Sequence, residues 1–140
     1  MIKIKIPVKV PTLNEFLSAS HIQRGSWNAG NKIKQDCQKE LYYYLCKLPV
    51  FTKPLILHFT WIEKNKRRDL DNISAVGKKF ILDTLQLCGK IKNDNLNYIV
   101  GFTDKVEFGK ECGVTIEFEE VENENNWKKC TRNRVCCLDW

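Results

Sequence analysis

Between Arg67 and Asn72 the chain runs Arg-Arg-Asp-Leu-Asp-Asn. This places two carboxylates, Asp69 and Asp71, directly behind the cations Lys64, Lys66, Arg67 and Arg68. A third acid, Asp94, follows in Lys92-Asn93-Asp94-Asn95. Carboxylates are ligands for a hard cation such as Mg2+, and lysine and arginine neutralise phosphates. Acids set among cations therefore point to metal-dependent chemistry on a phosphodiester polyanion rather than on a small molecule. In an extended chain, residues two apart project to one side, so Asp69 and Asp71 are placed to share a cation. The competing account is ordinary. One aspartate caps a helix, the pair meets Arg67 and Arg68, and Asp94 is a turn residue.

Beyond this cluster, Asp71, Ala75, Lys79 and Asp83 recur at four-residue steps, which aligns them along one stripe of a helix. Lys79 is placed to stabilise charge developing on a scissile phosphate. Its simpler role is a surface ion pair with Asp83.

The positioning elements follow from periodicity. Ile2, Ile4, Ile6, Val8 and Val10 alternate with Lys3, Lys5, Pro7 and Lys9, which predicts a strand over residues 2–10 with one buried face. Residues 11–30 carry Pro11, Gly25 and Gly30 and are expected to be loop. Ile33, Cys37, Leu41, Tyr44 and Leu45 predict a helix over 31–47. Leu55 to Glu63 is β-branched and aromatic, so a strand is expected to run straight into the charged cluster. A helix from about Ile73 to Leu87, capped by Asp71 or Asn72, buries Ile73, Val76, Phe80 and Leu85. Gly89 ends it. Residues 98–106 and 113–120 are expected to be two strands forming a hairpin. The order is β-α-β-α-β-β. It implies an α/β (α+β) two-layer sandwich with a mixed sheet of about four to five strands and two main helices on one face.

The 140 residues suit a single domain with a real core. The net charge of +6 permits a nucleic-acid partner without requiring one, so the placement of charge matters more. No apolar run is long enough for a membrane span, and the alternating N-terminus does not resemble a signal peptide. Seven cysteines at irregular spacing, with no Cys-x-x-Cys, suggest free thiols in a reducing compartment. His58 is expected inside a buried strand, and Tyr42, Tyr43 and Tyr44 in core or interface. After Glu120 the periodicity stops, so residues 121–140 are expected to form a flexible tail.

Taken together, Arg68-Asp69-Leu70-Asp71-Asn72, Lys79-Phe80-Ile81-Leu82-Asp83-Thr84-Leu85 and Asn93-Asp94 resemble the RusA family of Holliday junction resolvases. Pro11-Thr12-Leu13-Asn14 adds a further match near the N-terminus. The resemblance spans residues 1–120. It implies Asp69, Asp71 and Asp94 as metal ligands and Lys79 as the catalytic lysine. Mg2+, with Mn2+ as a substitute, is the implied cofactor. A homodimer nicking opposed strands of a four-way DNA junction, in recombination and repair, is the implied assembly and role. In the family pattern the lysine follows the second aspartate by one helical turn, where this chain has Ala75. The Lys79–Asp83 spacing matches instead, and Lys78 is the alternative. Lys64, Lys66, Arg67, Arg68, Lys78, Lys90 and Lys92 are the expected DNA contacts. A cytoplasmic location in a bacterial host is implied, and a phage or prophage origin is compatible with the family.

Overall fold

The structure is a computed structural model and describes residues 1–25 and 27–121. The expected tail therefore lies, from residue 122 onward, outside the described residues.

A four-stranded mixed sheet carries the architecture. Its strands are β1 (Ile2–Ile6), β4 (Leu55–Glu63), β5 (Ile99–Phe108) and β6 (Gly113–Glu120), in the spatial order β1-β6-β4-β5. β2 (Gln23–Arg24) and β3 (Trp27–Asn28) form a separate two-stranded ribbon. Three helices, α1 (Leu13–Ser20), α2 (Ala29–Leu45) and α3 (Leu70–Leu87), pack on one another.

The core lies between these helices and one face of the sheet. Leu55, Leu57, Phe59 and Trp61 of β4 and Val114, Ile116 and Phe118 of β6 are buried there. They meet Leu41 and Leu45 of α2 and Ile73, Phe80, Ile81 and Leu85 of α3. The intervening residues of β4 are only half-buried, so the opposite sheet face stays open. His58 belongs to that open face. This corrects its expected burial, because its alternate neighbours are the residues that enter the core. There its ring nitrogens meet Thr103 Oγ1 at 2.7 Å and Glu119 Oε2 at 2.8 Å. Tyr42 and Tyr43 of α2 are likewise exposed and lie outside the core.

Three expectations about the elements are corrected. First, residues 11–30 are not plain loop, since they hold α1 and the β2–β3 ribbon. Thr12 accepts from the Glu15 amide and Glu15 accepts from the Thr12 amide, a reciprocal capping box that starts α1. Second, β1 ends at Ile6, although Val8 and Val10 remain buried in the same alternation. Third, β5 and β6 are not a hairpin. β4 lies between them, antiparallel to β6 and parallel to β5. A parallel neighbour needs a crossover, and α3 supplies it. β4 is apolar along its inner face from Leu55 to Trp61 and so takes a central position, with the 109–112 turn passing across its end. The Gly109 amide donates to the Glu63 carbonyl there at 2.9 Å.

α3 sits close on the sheet because Gly77 has no side chain. A Cβ at that position would lie 2.6 Å from the Trp61 ring. The helix ends as expected at Gly89, whose φ of 70° suits a left-handed position that glycine adopts freely. The Gly89 amide donates to the Gln86 carbonyl and the Lys90 amide to the Leu85 carbonyl, a Schellman closure.

Candidate functional site

The charged cluster occupies the junction between β4 and α3. β4 delivers the chain to this corner, and the span from Lys64 to Arg67 is exposed. An Asx turn shapes it, with the Arg67 amide donating to Asn65 Oδ1 at 3.0 Å. α3 starts earlier than its apolar periodicity suggests, at Leu70 rather than Ile73, with Asp69 as N-cap. Asp71 and Asn72, the expected caps, lie inside the first turn.

Asp69 has extended backbone, φ −83° and ψ 140°, yet its side chain makes no capping hydrogen bond. An aspartate in that position ordinarily accepts from the amides of the first turn. Here its carboxylate is exposed, and among the described residues it forms no ion pair. Asp71 is exposed too, in the first turn where a negative charge complements the helix dipole. Its Oδ1 accepts from the next amide, that of Asn72, at 2.9 Å. Neither acid pairs with Arg67 or Arg68 among the described residues. With Asp71 already helical, the two carboxylates are not related by the same-side rule of an extended chain. They remain neighbours across a helix start.

Arg68, expected among the DNA contacts, points inward. Its Nη1 lies 3.3 Å from Glu63 Oε1, with the two side chains 13% and 7% exposed. Its Nη2 donates to the Val10 carbonyl. Lys78, also expected to meet DNA, is held by Asp104 of β5 and lies over the Phe102 ring at 5.0 Å. Asp104 in turn accepts from Trp61 Nε1 at 2.9 Å. Both cations are tied to internal acids because each faces a half-buried or buried carboxylate across an element boundary. Lys64, Lys66, Arg67 and Lys92 are exposed and Lys90 is half-buried, so these five are the open cations of the corner and of the loop after α3.

Lys79 is different. Its side chain is 60% exposed, and its Nζ lies 3.0 Å from Asp83 Oδ1 and 3.5 Å from Asp94 Oδ2. Asp83 Oδ2 also meets Lys34 of α2 at 3.1 Å. The Asp83 hydrogen bond, reinforced by the charges of Asp83 and Asp94 against a small desolvation, raises the Lys79 pKa above the ordinary lysine range. The Lys79–Asp83 pair expected from spacing is therefore present. Asp94 joins it from the loop before β5.

Oxygen donors suit Mg2+, which is commonly held by one or two carboxylates while waters and substrate phosphates complete its shell. Asp69 and Asp71 fit that description: both are exposed and, among the described residues, unpaired with any cation. Asp94 does not join them. It pairs instead with Lys79 Nζ, whose own backbone lies about 12 Å of helix rise beyond that of Asp71. Among the described residues no group of three or more His, Cys, Asp or Glu side chains is arranged to hold a metal ion. The implied three-acid set is thus divided between a pair at the start of α3 and a single acid further along it.

The sequence reading missed Glu63, Asp104 and Lys34. Glu63 carried a usable signal: a lone acid continuing the inward-facing parity of Leu55, Leu57, Phe59 and Trp61 must enter the core and find a cation. Asp104 and Lys34 carried none, because their partners are far away in sequence.

No protein-family model matches the chain, and a search of curated proteins finds no significant relative. Among the described residues no helix is long and apolar enough to cross a membrane.

Proposed function

We propose that this protein is a metal-dependent endodeoxyribonuclease that resolves four-way DNA junctions by paired nicks, as the RusA resemblance implies. The observation that carries the reading is the free Asp69 carboxylate at the N-cap of α3, beside Asp71 and among the open cations Lys64, Lys66 and Arg67. A cap residue that leaves its cap bond unmade is available for another ligand.

Asp69 and Asp71 are the residues that would hold the cation. Mg2+ or Mn2+ bound there supplies polarisation of the scissile phosphate and a lowered pKa for an attacking water. Lys64, Lys66, Arg67, Lys90 and Lys92 contact flanking phosphates and position the strand without reading sequence. Lys79, held protonated by Asp83 and Asp94, offers its exposed ammonium to the developing charge. Asp94 keeps that ammonium oriented, and it reaches a cation only if Lys79 releases it. Two symmetric nicks call for two sites on one particle, hence a homodimer.

The test is a labelled four-way junction incubated with and without Mg2+, beside a linear duplex of the same sequence. Paired nicks at symmetry-related positions, dependent on Mg2+, are expected. Sedimentation should give a mass near twice 16.4 kDa.

One observation favours a second reading, a non-catalytic protein that binds branched DNA: the three acids do not gather into one group. Junction binding without Mg2+-dependent nicking would select it. Cleavage of other branched DNA or of RNA in the same panel would instead keep the chemistry and change the substrate.

A further inference from the structure

We infer that Glu63 is a positioning residue for the candidate site, because its buried ion pair with Arg68 fixes the backbone that carries Asp69. The catalytic consequence of this rests on the proposed nuclease reading, but the positioning itself does not.

Glu63 ends β4 and is only 5% exposed. Its carboxylate takes Arg68 Nη1 at 3.3 Å and lies 3.5 Å from Cys112 Sγ. Its backbone carbonyl accepts from Gly109. Arg68 extends the link to the Val10 carbonyl. One buried acid thereby joins β4, the β5–β6 turn, the N-terminal segment and the residue immediately before Asp69. Lys64, Asn65, Lys66 and Arg67, all exposed, hang between Glu63 and Arg68 as a short span secured at both ends.

Core stability does not explain the pair. A buried salt bridge loses much of its attraction to desolvation, and apolar residues of similar volume usually serve a core as well. Arg68 Nε is moreover buried without an acceptor, a cost that better packing would remove. What apolar residues could not do is fix direction. The planar guanidinium binds a carboxylate and a carbonyl at once, which orients the Arg68 backbone and so the Asp69 that follows it.

The test uses the full chain in two variants, Glu63→Gln and the double change Glu63→Gln with Arg68→Met, which leaves no buried charge. Two quantities are read. The first is tryptic cleavage after Arg68, without DNA or metal, mapped by mass spectrometry. That cut needs the Arg68 side chain to leave the core, so the wild-type protein should resist it and Glu63→Gln should accept it; the double variant has no arginine at position 68 and is read by its Mg2+ requirement alone. The second is the Mg2+ concentration for half-maximal junction cleavage. It should rise about tenfold or more, the scale on which supports behind metal ligands act, while junction binding in EDTA changes little.

An unchanged tryptic pattern with an unchanged Mg2+ requirement overturns the inference. Loss of fold in both variants overturns it as well, since the pair would then serve the core alone. If the wild-type protein cuts no branched DNA but the tryptic site opens as expected, the nuclease reading fails and the positioning stands.

Discussion

Lys79 Nζ lies 3.5 Å from Asp94 Oδ2, joining the middle of α3 to the loop before β5. Lys78, one residue earlier, turns about 100° around the helix and is held by Asp104 of β5 instead. Adjacent lysines thus serve different partners, and this separates their expected phenotypes. Lys79→Ala should slow cleavage by about 10²-fold or more, the scale for one lost electrostatic stabiliser, with little change in melting temperature. Lys78→Ala should lower stability by about 1 kcal/mol, because Asp104 loses its cation but keeps the Trp61 hydrogen bond, yet cut nearly normally well below its melting point. Single-turnover rates at saturating junction, measured beside thermal melts, check both. Reversed phenotypes would assign the catalytic role to Lys78.

Asp71→Asn should abolish Mg2+-dependent nicking and leave junction binding intact or tighter. The change removes a hard oxygen ligand and one repulsive charge near the phosphates. Gel-shift titration in EDTA and cleavage in Mg2+ separate the two effects. Cutting near the wild-type rate would remove Asp71 from the site.

Gly77→Ala tests the close approach of α3 to β4. Alanine gains up to about 1 kcal/mol of helix propensity. Its Cβ, however, would lie 2.6 Å from a Trp61 ring that is 1% exposed and stacked on Phe59. Overpacking of this kind costs about 1–3 kcal/mol, so the variant should be less stable in urea. A more stable variant would mean that the ring has room to shift.

Cys37 makes stability depend on alkaline pH. Burial, helped by the nearby Glu40 charge, pushes its pKa from 9.0 up to about 12. The folded-state value is raised, so the contribution is fully present below pH 9.0 and is lost as pH climbs towards about 12, where the unfolded chain ionises and the fold resists. Replacing Cys37 with alanine should flatten the fall in melting temperature above pH 9, whatever its absolute cost. Among the described cysteines, exposed Cys46 should react first with a thiol reagent and Cys37 last.

Local pattern was enough for β4, α2, most of α3 and the Gly89 stop, since apolar periodicity and a left-handed glycine act over a few residues. α1 was also written locally, in the Thr12-x-x-Glu15 capping box, but the nearby proline and glycines pointed to loop. The two-layer mixed fold followed from the order of the elements. The insertion of β4 between β5 and β6 did not, because strand pairing is decided by which face finds cover, and the short 109–112 turn looks like a hairpin until β4 is placed.

The same division holds at the site. Residue type and spacing, together with the RusA resemblance, singled out Asp69, Asp71, Asp94 and Lys79 as candidates for this chemistry, and no contact was needed for that. Only the tertiary structure decided which charges are free. It turned Arg68 inward to Glu63, gave Lys78 to Asp104 and Asp94 to Lys79, and left Asp69 and Asp71 open at the start of α3. The reason is physical. A side chain's chemistry belongs to the residue, but its partners come from distant segments that only folding brings within a few ångströms, where a buried acid must find a cation.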